Sequence, residues 1–208
     1  MGSIPACFYE KSIAVKNQGM REKVFNETIE LLKLGGYKGL YMTDLARQVG
    51  ISKKTLYDEF GNKEGVVVSA LKNEFDSMYH DLEMISLIAG LDVLERLSAS
   101  LWLITRRAFE CSKQLVEDLK VNPVIQEQFW QHVQKLNSQL LQCYLQNSTV
   151  LNEIMLTNFF GILINVASGK QHGVDRVKLM QETIQFYTYA WAHMENGLYK
   201  KNEPVKGS

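Results

Sequence analysis

An all-α fold of about nine helices is predicted for this chain of 208 residues, and three observations predict it. Apolar residues recur three and four apart through most of the length, the period of a helix with one buried face. Gly35-Gly36, Gly50, Gly90 and Asn122-Pro123 punctuate the periodic segments where helices would end or begin. Between Met42 and Lys63 two short amphipathic helices flank a glycine turn, and a long run of helical stripes follows. The length suits one small and one larger domain. The expected division is a loose arm at 1–19, an N-terminal three-helix domain at 20–65 and a larger helical domain at 66–208.

The first helix is expected from about Met20 to Leu34, with Val24, Phe25, Ile29, Leu31 and Leu32 inward and Gly35-Gly36 as its stop. In the next two helices Leu45, Val49, Ile51, Leu56 and Phe60 form the apolar face. Ala46 is small where the pair must cross closely, and Gly50 accepts the positive φ of a sharp turn. Ser52 is placed to cap the second of the pair. A fourth helix starts after Asn62, a good N-cap, with Glu64 complementing the positive helix end. Its stripe of Val67, Leu71, Phe75, Met78, Leu82 and Ile85 is spaced 4-4-3-4-3.

After Gly90 the stripe Leu91, Leu94, Leu97, Leu101, Ile104 and Ala108 predicts a fifth helix, with Trp102 and Phe109 on a second apolar edge. A short helix is expected at Leu115–Leu119. Asn122-Pro123 reads as N-cap and first position of a seventh, lined by Ile125, Phe129, Val133, Leu136, Leu140 and Tyr144 and closed by Asn147-Ser148. The eighth, about Val150 to Ser168, is apolar nearly all round, with Ile154, Met155, Phe159, Phe160, Ile162, Leu163 and Val166. In the ninth, Val177, Met180, Ile184, Tyr187, Trp191, Met194 and Leu198 alternate at three and four, a seam for another helix. Phe186 and Tyr189 add apolar surface beside that seam. The last two helices carry more apolar surface than a small monomer covers, so a homodimer joined by a four-helix bundle is expected. Phe159, Leu163, Val177, Ile184, Tyr187, Trp191 and Met194 are the candidate dimerisation residues.

Composition bounds the function. Net charge is zero, with 11 Lys/Arg against 9 Asp/Glu in residues 1–75 and 12 against 14 in the remainder. That balance suits a reader with a small basic contact surface better than a general nucleic-acid coat. Met1–Gly19 lacks the uninterrupted apolar stretch of a secretory leader. The most apolar run, Phe159–Ala167, is interrupted by Gly161 and Asn165 and falls short of the roughly 18 residues of a membrane span, so no membrane partner is expected. Cys7, Cys111 and Cys143 read as free thiols in a reducing cytoplasm. His80, His132, His172 and His193 have no ligand-like spacing to one another or to cysteine. Neither a metal nor any other cofactor is expected. No phosphate-binding glycine loop, nucleophile elbow or paired-carboxylate motif points to an enzyme.

The segment MTDLARQVGISKKTLYDEFGNK, residues 42–63, has the layout of a helix-turn-helix reader of double-stranded DNA. In such a motif the second helix enters the major groove by its N-terminal end, here Lys53, Lys54 and Thr55. Lysine donates to guanine O6 and N7 or to phosphate, and threonine and tyrosine hydroxyls suit phosphate oxygens. The candidate contact residues are Ser52, Lys53, Lys54, Thr55, Tyr57 and Lys63, with Thr43, Arg47 and Gln48 on the preceding helix.

From Arg21 to Leu71 the chain resembles the N-terminal domain of TetR-family transcriptional regulators. The resemblance is carried by Arg21-Glu22-Lys23-Val24 through Gly36-Tyr37, by Asp44-Leu45-Ala46 with Val49-Gly50-Ile51-Ser52-Lys53 and Thr55-Leu56-Tyr57, and by Phe60-Gly61-Asn62-Lys63-Glu64. It implies phosphate contacts at Tyr57 and Lys63, and a dimer built on the last two helices. It also implies a small-molecule effector, largely apolar, in the larger domain. Trp102, Arg106, Phe109, Phe129, Val133, Tyr144 and Phe160 are the candidate effector residues, although each aromatic taken singly also reads as ordinary core. The chain departs from the family at Leu40 and Tyr41, where hydroxyl residues are common, and at Lys54, where glycine is common. Asp58 and Glu59 are unusual on a helix that faces phosphates; they point away from DNA or accept from a cytosine amino group. The expected function is a ligand-responsive repressor released from its operator by the effector. The alternatives are a DNA-binding activator or architectural protein without a ligand, and an all-helical small-molecule-binding protein whose DNA motif is vestigial.

Overall fold

The computed structural model describes residues 6–111, 113–144, 150–169 and 175–199, with side chains described except at 6–18, 119–120, 150–151 and 194–199. Among the described residues there are nine helices and no strand, in keeping with the predicted all-α class. They are α1 (Ala6–Gly39), α2 (Met42–Val49), α3 (Lys53–Phe60), α4 (Lys63–Ser86), α5 (Val93–Phe109), α6 (Lys113–Val121), α7 (Pro123–Tyr144), α8 (Val150–Ala167) and α9 (Arg176–Tyr199).

Two expectations about helix starts are corrected. Residues 6–19, expected as a loose arm, are the first turns of α1. No glycine or proline stands between Pro5 and Gly19, so nothing stops a helix begun downstream from propagating back to Ala6. Leu91, expected to open the fifth helix, instead precedes its cap. Asp92 accepts the Glu95 N–H at 2.8 Å and the Glu95 carboxylate accepts the Asp92 N–H at 2.8 Å, a reciprocal box that sets the start at Val93. The Asn147-Ser148 stop lies outside the described residues.

The chain divides into two compact units. The first comprises residues 1–77 and 111–130, and the second comprises 78–110 and 131–208. Helices α4 and α7 contribute residues to both.

In the first unit, one apolar cluster joins Val24 of α1 to Met42, Leu45 and Ala46 of α2, Leu56 of α3 and Val66 of α4. A second joins Ile29, Leu32 and Leu40 to Val67, Ala70, Leu115 of α6 and Ile125 of α7. Within α1 the backbone breaks at Gly36, whose φ of 66° and ψ of −171° belong to a region that only glycine occupies without strain. Asp118 of α6, 1% exposed, meets this break and accepts the Tyr37 N–H at 2.5 Å. A Cβ at residue 36 would collide with the Asp118 carboxylate and the Gln114 side chain.

In the second unit α5 packs on α8 and α9. Phe159 of α8 meets Tyr187 of α9 edge-on at 5.8 Å, and Tyr187 lies 5.7 Å from Trp191. Ile184, Tyr187 and Trp191, three positions of the seam, are thus buried inside this chain, as are Phe159 and Leu163. The faces left open carry Ile154, Val177, Phe186 and Tyr189, each at least half exposed. Met194, in the expected seam, lies outside the described side chains.

Candidate nucleic-acid interface

The geometry begins with the turn between α2 and α3. Gly50 caps α2 in the left-handed region at φ 79°, and its N–H returns to the Ala46 carbonyl at 3.0 Å. That reversal lets Leu45 and Leu56, both fully buried, anchor the two helices against one core. With Leu56 inward, Lys53, Lys54, Thr55 and Tyr57 lie on the outer face of α3, all exposed. Ser52 begins the helix: its Oγ accepts the Thr55 N–H at 2.9 Å and lies 2.8 Å from the Thr55 hydroxyl. The lysines at the first turn therefore stand on a capped, fixed helix end.

The other candidates are also outward. Thr43, Arg47 and Gln48 line the exposed side of α2, where Arg47 pairs with Asp44 at 2.9 Å. Tyr41 occupies the N-cap of α2 without a capping side-chain bond and is 64% exposed. The first turn of α2 therefore lacks a side-chain acceptor for its amides, and its outer end carries a phenol. Lys63 opens α4, half-buried, its ammonium 4.3 Å above the Tyr37 ring. Burial lowers the Lys63 pKa, and the Asp118 charge opposes that shift.

The acids of α3 find a structural explanation in Glu59. Its carboxylate pairs with the guanidinium of Arg21 on α1, which also lies 5.3 Å from the Phe60 ring and 5.8 Å from the Phe25 ring. Glu59 is thereby turned toward α1. Asp58 is exposed. Lys54 has no ion pair among the described residues.

The candidate effector residues are divided. Trp102, Phe109, Val133, Tyr144 and Phe160 belong to the second unit, with Val133, Tyr144 and Phe160 buried. The Tyr144 hydroxyl meets the Ser100 hydroxyl at 2.9 Å. Burial raises the Tyr144 pKa while the Ser100 bond opposes the shift, so the phenol is neutral and can donate as well as accept. The Arg176 guanidinium stands 5.4 Å from the Phe109 ring. Phe129 belongs to the first unit and packs edge-on against Phe75 at 6.5 Å. Arg106 does not join the buried residues: its side chain is 81% exposed and pairs with Glu110 at 3.7 Å.

Sequence reasoning missed the buried polar residues around these sites. Nothing in the local pattern around Asp118 or Thr105 marks either for burial, yet each is 1% exposed. Of the cysteines, Cys143 has its thiol pKa raised by desolvation and then by Glu83, opposite to what a reactive thiolate needs. Among the described residues no three His, Cys, Asp or Glu side chains are grouped to hold a metal. No described helix is long and apolar enough to cross a membrane.

Residues 24–70 match the sequence model of bacterial regulatory proteins of the tetR family. The fold is similar to a tetR-family transcriptional regulator from Streptomyces coelicolor, with a TM-score of 0.66 at 14% identity over 91% of this chain and 92% of that one. It is also similar to a TetR-family regulator from Mesorhizobium loti, with a TM-score of 0.63 at 14% identity over 85% and 96% of the two chains. A third similar structure is the transcriptional regulator FadR from Bacillus subtilis in complex with stearoyl-CoA, with a TM-score of 0.59 at 16% identity over 80% and 97%. No curated protein matches the chain by sequence.

Proposed function

For this chain, a TetR-family DNA-binding regulator by its residues 24–70, we propose the function of a dimeric repressor that a small molecule releases from its operator. The observation that carries the reading is the outer face of α3. Its capped first turn presents Lys53, Lys54 and Thr55 to solvent with Tyr57 behind them, while Glu59 is held aside by Arg21. In the proposed complex this end of α3 enters the major groove, and Tyr57 and Lys63 meet phosphates on either side. Two copies would read half-sites roughly 34–36 Å apart.

The dimer is proposed through α8 and α9. Ile154, Val177, Phe186 and Tyr189 are the apolar residues left open there, so they are the first to test beside the seam residues. The effector is proposed to bind in the second unit. Four buried polar atoms there have no hydrogen-bond partner among the described residues: Arg96 Nε, Thr105 Oγ1, Asn137 Oδ1 and Trp191 Nε1. Unpaired polar atoms in an apolar interior favour a ligand that brings a few polar groups on a largely apolar body. Because FadR from Bacillus subtilis was solved with stearoyl-CoA, long-chain acyl thioesters are the first effectors to try. An effector releases DNA only to the extent that it binds the released state more tightly than the bound one.

Selection of duplexes from a random-sequence pool tests the reading. The wild type should enrich a near-palindromic site. The double variant K53A/Y57A should lose at least about thirtyfold in affinity for that site, as expected for two lost contacts of roughly 1–3 kcal/mol each, and still sediment as the wild type does. Undiminished binding would exclude α3 as the reading helix. The variant F186D/Y189D should sediment as a monomer; a dimer of unchanged stability would move the contact elsewhere on the chain.

A further inference from the structure

We propose that Asp118, on α6, is a positioning residue for DNA binding: it fixes Tyr37 as the platform that presents Lys63 to a phosphate. The inference rests on the DNA-binding reading and extends it to a helix that follows the reading motif at a distance, Asp118 being 81 positions after Tyr37.

The geometry is a short relay inside the first unit. The Asp118 carboxylate is buried, and each of its oxygens has a donor: Oδ2 takes the Tyr37 N–H at 2.5 Å and Oδ1 takes the Gln114 amide at 3.2 Å. A buried carboxylate is costly unless its oxygens are bonded, so its place here is purposeful packing rather than an accident of the helix face. What it holds is the residue just after the Gly36 break, where non-helical backbone interrupts α1. Tyr37 in turn carries Lys63, whose ammonium stands 4.3 Å above its ring. The Asp118 charge also acts on Lys63, favouring its protonated form against the effect of burial.

A free lysine side chain loses rotamer freedom when it meets a phosphate, and a platform under the ammonium removes part of that loss beforehand. If Asp118 is shortened, Tyr37 loses its anchor and Lys63 its fixed position. The defect should then be the defect of losing Lys63, and no more.

The test is a double-mutant cycle on the duplex that the wild type enriches from a random pool, with affinity measured from low to moderate salt. D118A should weaken binding about tenfold and lower the slope of log K against log salt by roughly 2, one phosphate contact per protomer of a dimer. In the K63Q background D118A should change affinity less than about twofold, because the contact it serves is already gone. D118N keeps an oxygen for the Tyr37 N–H, and should bind within about twofold of wild type with an unchanged slope. An unaltered slope for D118A, or an equal loss in wild-type and K63Q backgrounds, overturns the proposal. Should D118A not fold, Y37L removes the platform while keeping the N–H bond to Asp118, and the same slope loss and masking by K63Q are required of it. A wild type that enriches no duplex sinks the regulator reading itself; a wild type that binds while the variants keep its slope sinks only the role of Asp118.

Discussion

The two units differ in how many of their buried polar atoms are left without a partner among the described residues. In the first, Ser52 caps α3, Asp118 seals the Gly36 break, and Glu59 is answered by Arg21. Thr28 Oγ1 is the one buried side-chain atom left unpaired there among the described residues. In the second unit four such atoms remain among the described residues, beside paired groups such as the Ser100 and Tyr144 hydroxyls. A surface that must meet phosphates in one geometry gains from being held in advance. In the proposed function, the polar atoms left unpaired in the second unit are the ones an effector would meet. The difference matches the division of labour proposed for the two units.

Three substitutions break or sharpen that contrast. The largest effect is expected from W191A, which empties a fully buried site in the second unit and should cost about 3–5 kcal/mol in denaturant unfolding. A loss below about 1 kcal/mol would mean that the aromatic cluster is loosely packed and that the contrast between the units is wrong. G36A is next. A side chain at φ 66° and ψ −171° costs about 1–3 kcal/mol before the collision with Asp118 is counted. Hydrogen exchange should therefore rise through the first unit and stay near wild type in the second; uniform change would show that the units do not open separately. The smallest effect is expected from R21A. The Arg21–Glu59 pair is substantially exposed, so its loss should cost less than about 1 kcal/mol in stability. The enriched operator sequence should not change. A new base preference in R21A would mean that Glu59, once released, reads a cytosine.

Much of this molecule was legible in its sequence, and the reason is range. Gly50, Ser52, Asn62 and the Asn122-Pro123 start act within a few residues of themselves, so the helix boundaries they set could be read locally. The Asp92–Glu95 box was equally local; its D-x-x-E spelling was available and would have started α5 correctly. Outward placement of Lys53, Lys54 and Tyr57 follows from the period of α3 with Leu56 inward. The seam of α9 was visible as a pattern, but a pattern does not say which surface covers it. Within the chain Ile184, Tyr187 and Trp191 are covered by its own second unit, while Phe186 and Tyr189 stand open.

By itself the sequence determined nine helices, a glycine-turned pair with cations on its outer face, and an eighth helix apolar nearly all round. Periodicity, capping and glycine conformations are short-range effects, and they leave their mark in neighbouring letters. Tertiary structure decided that α6 joins the first unit, that Asp118 is buried against Gly36, and that Glu59 turns to Arg21 across 38 residues. Those outcomes depend on which distant groups arrive with matching charge and shape, and no local pattern encodes the arrival.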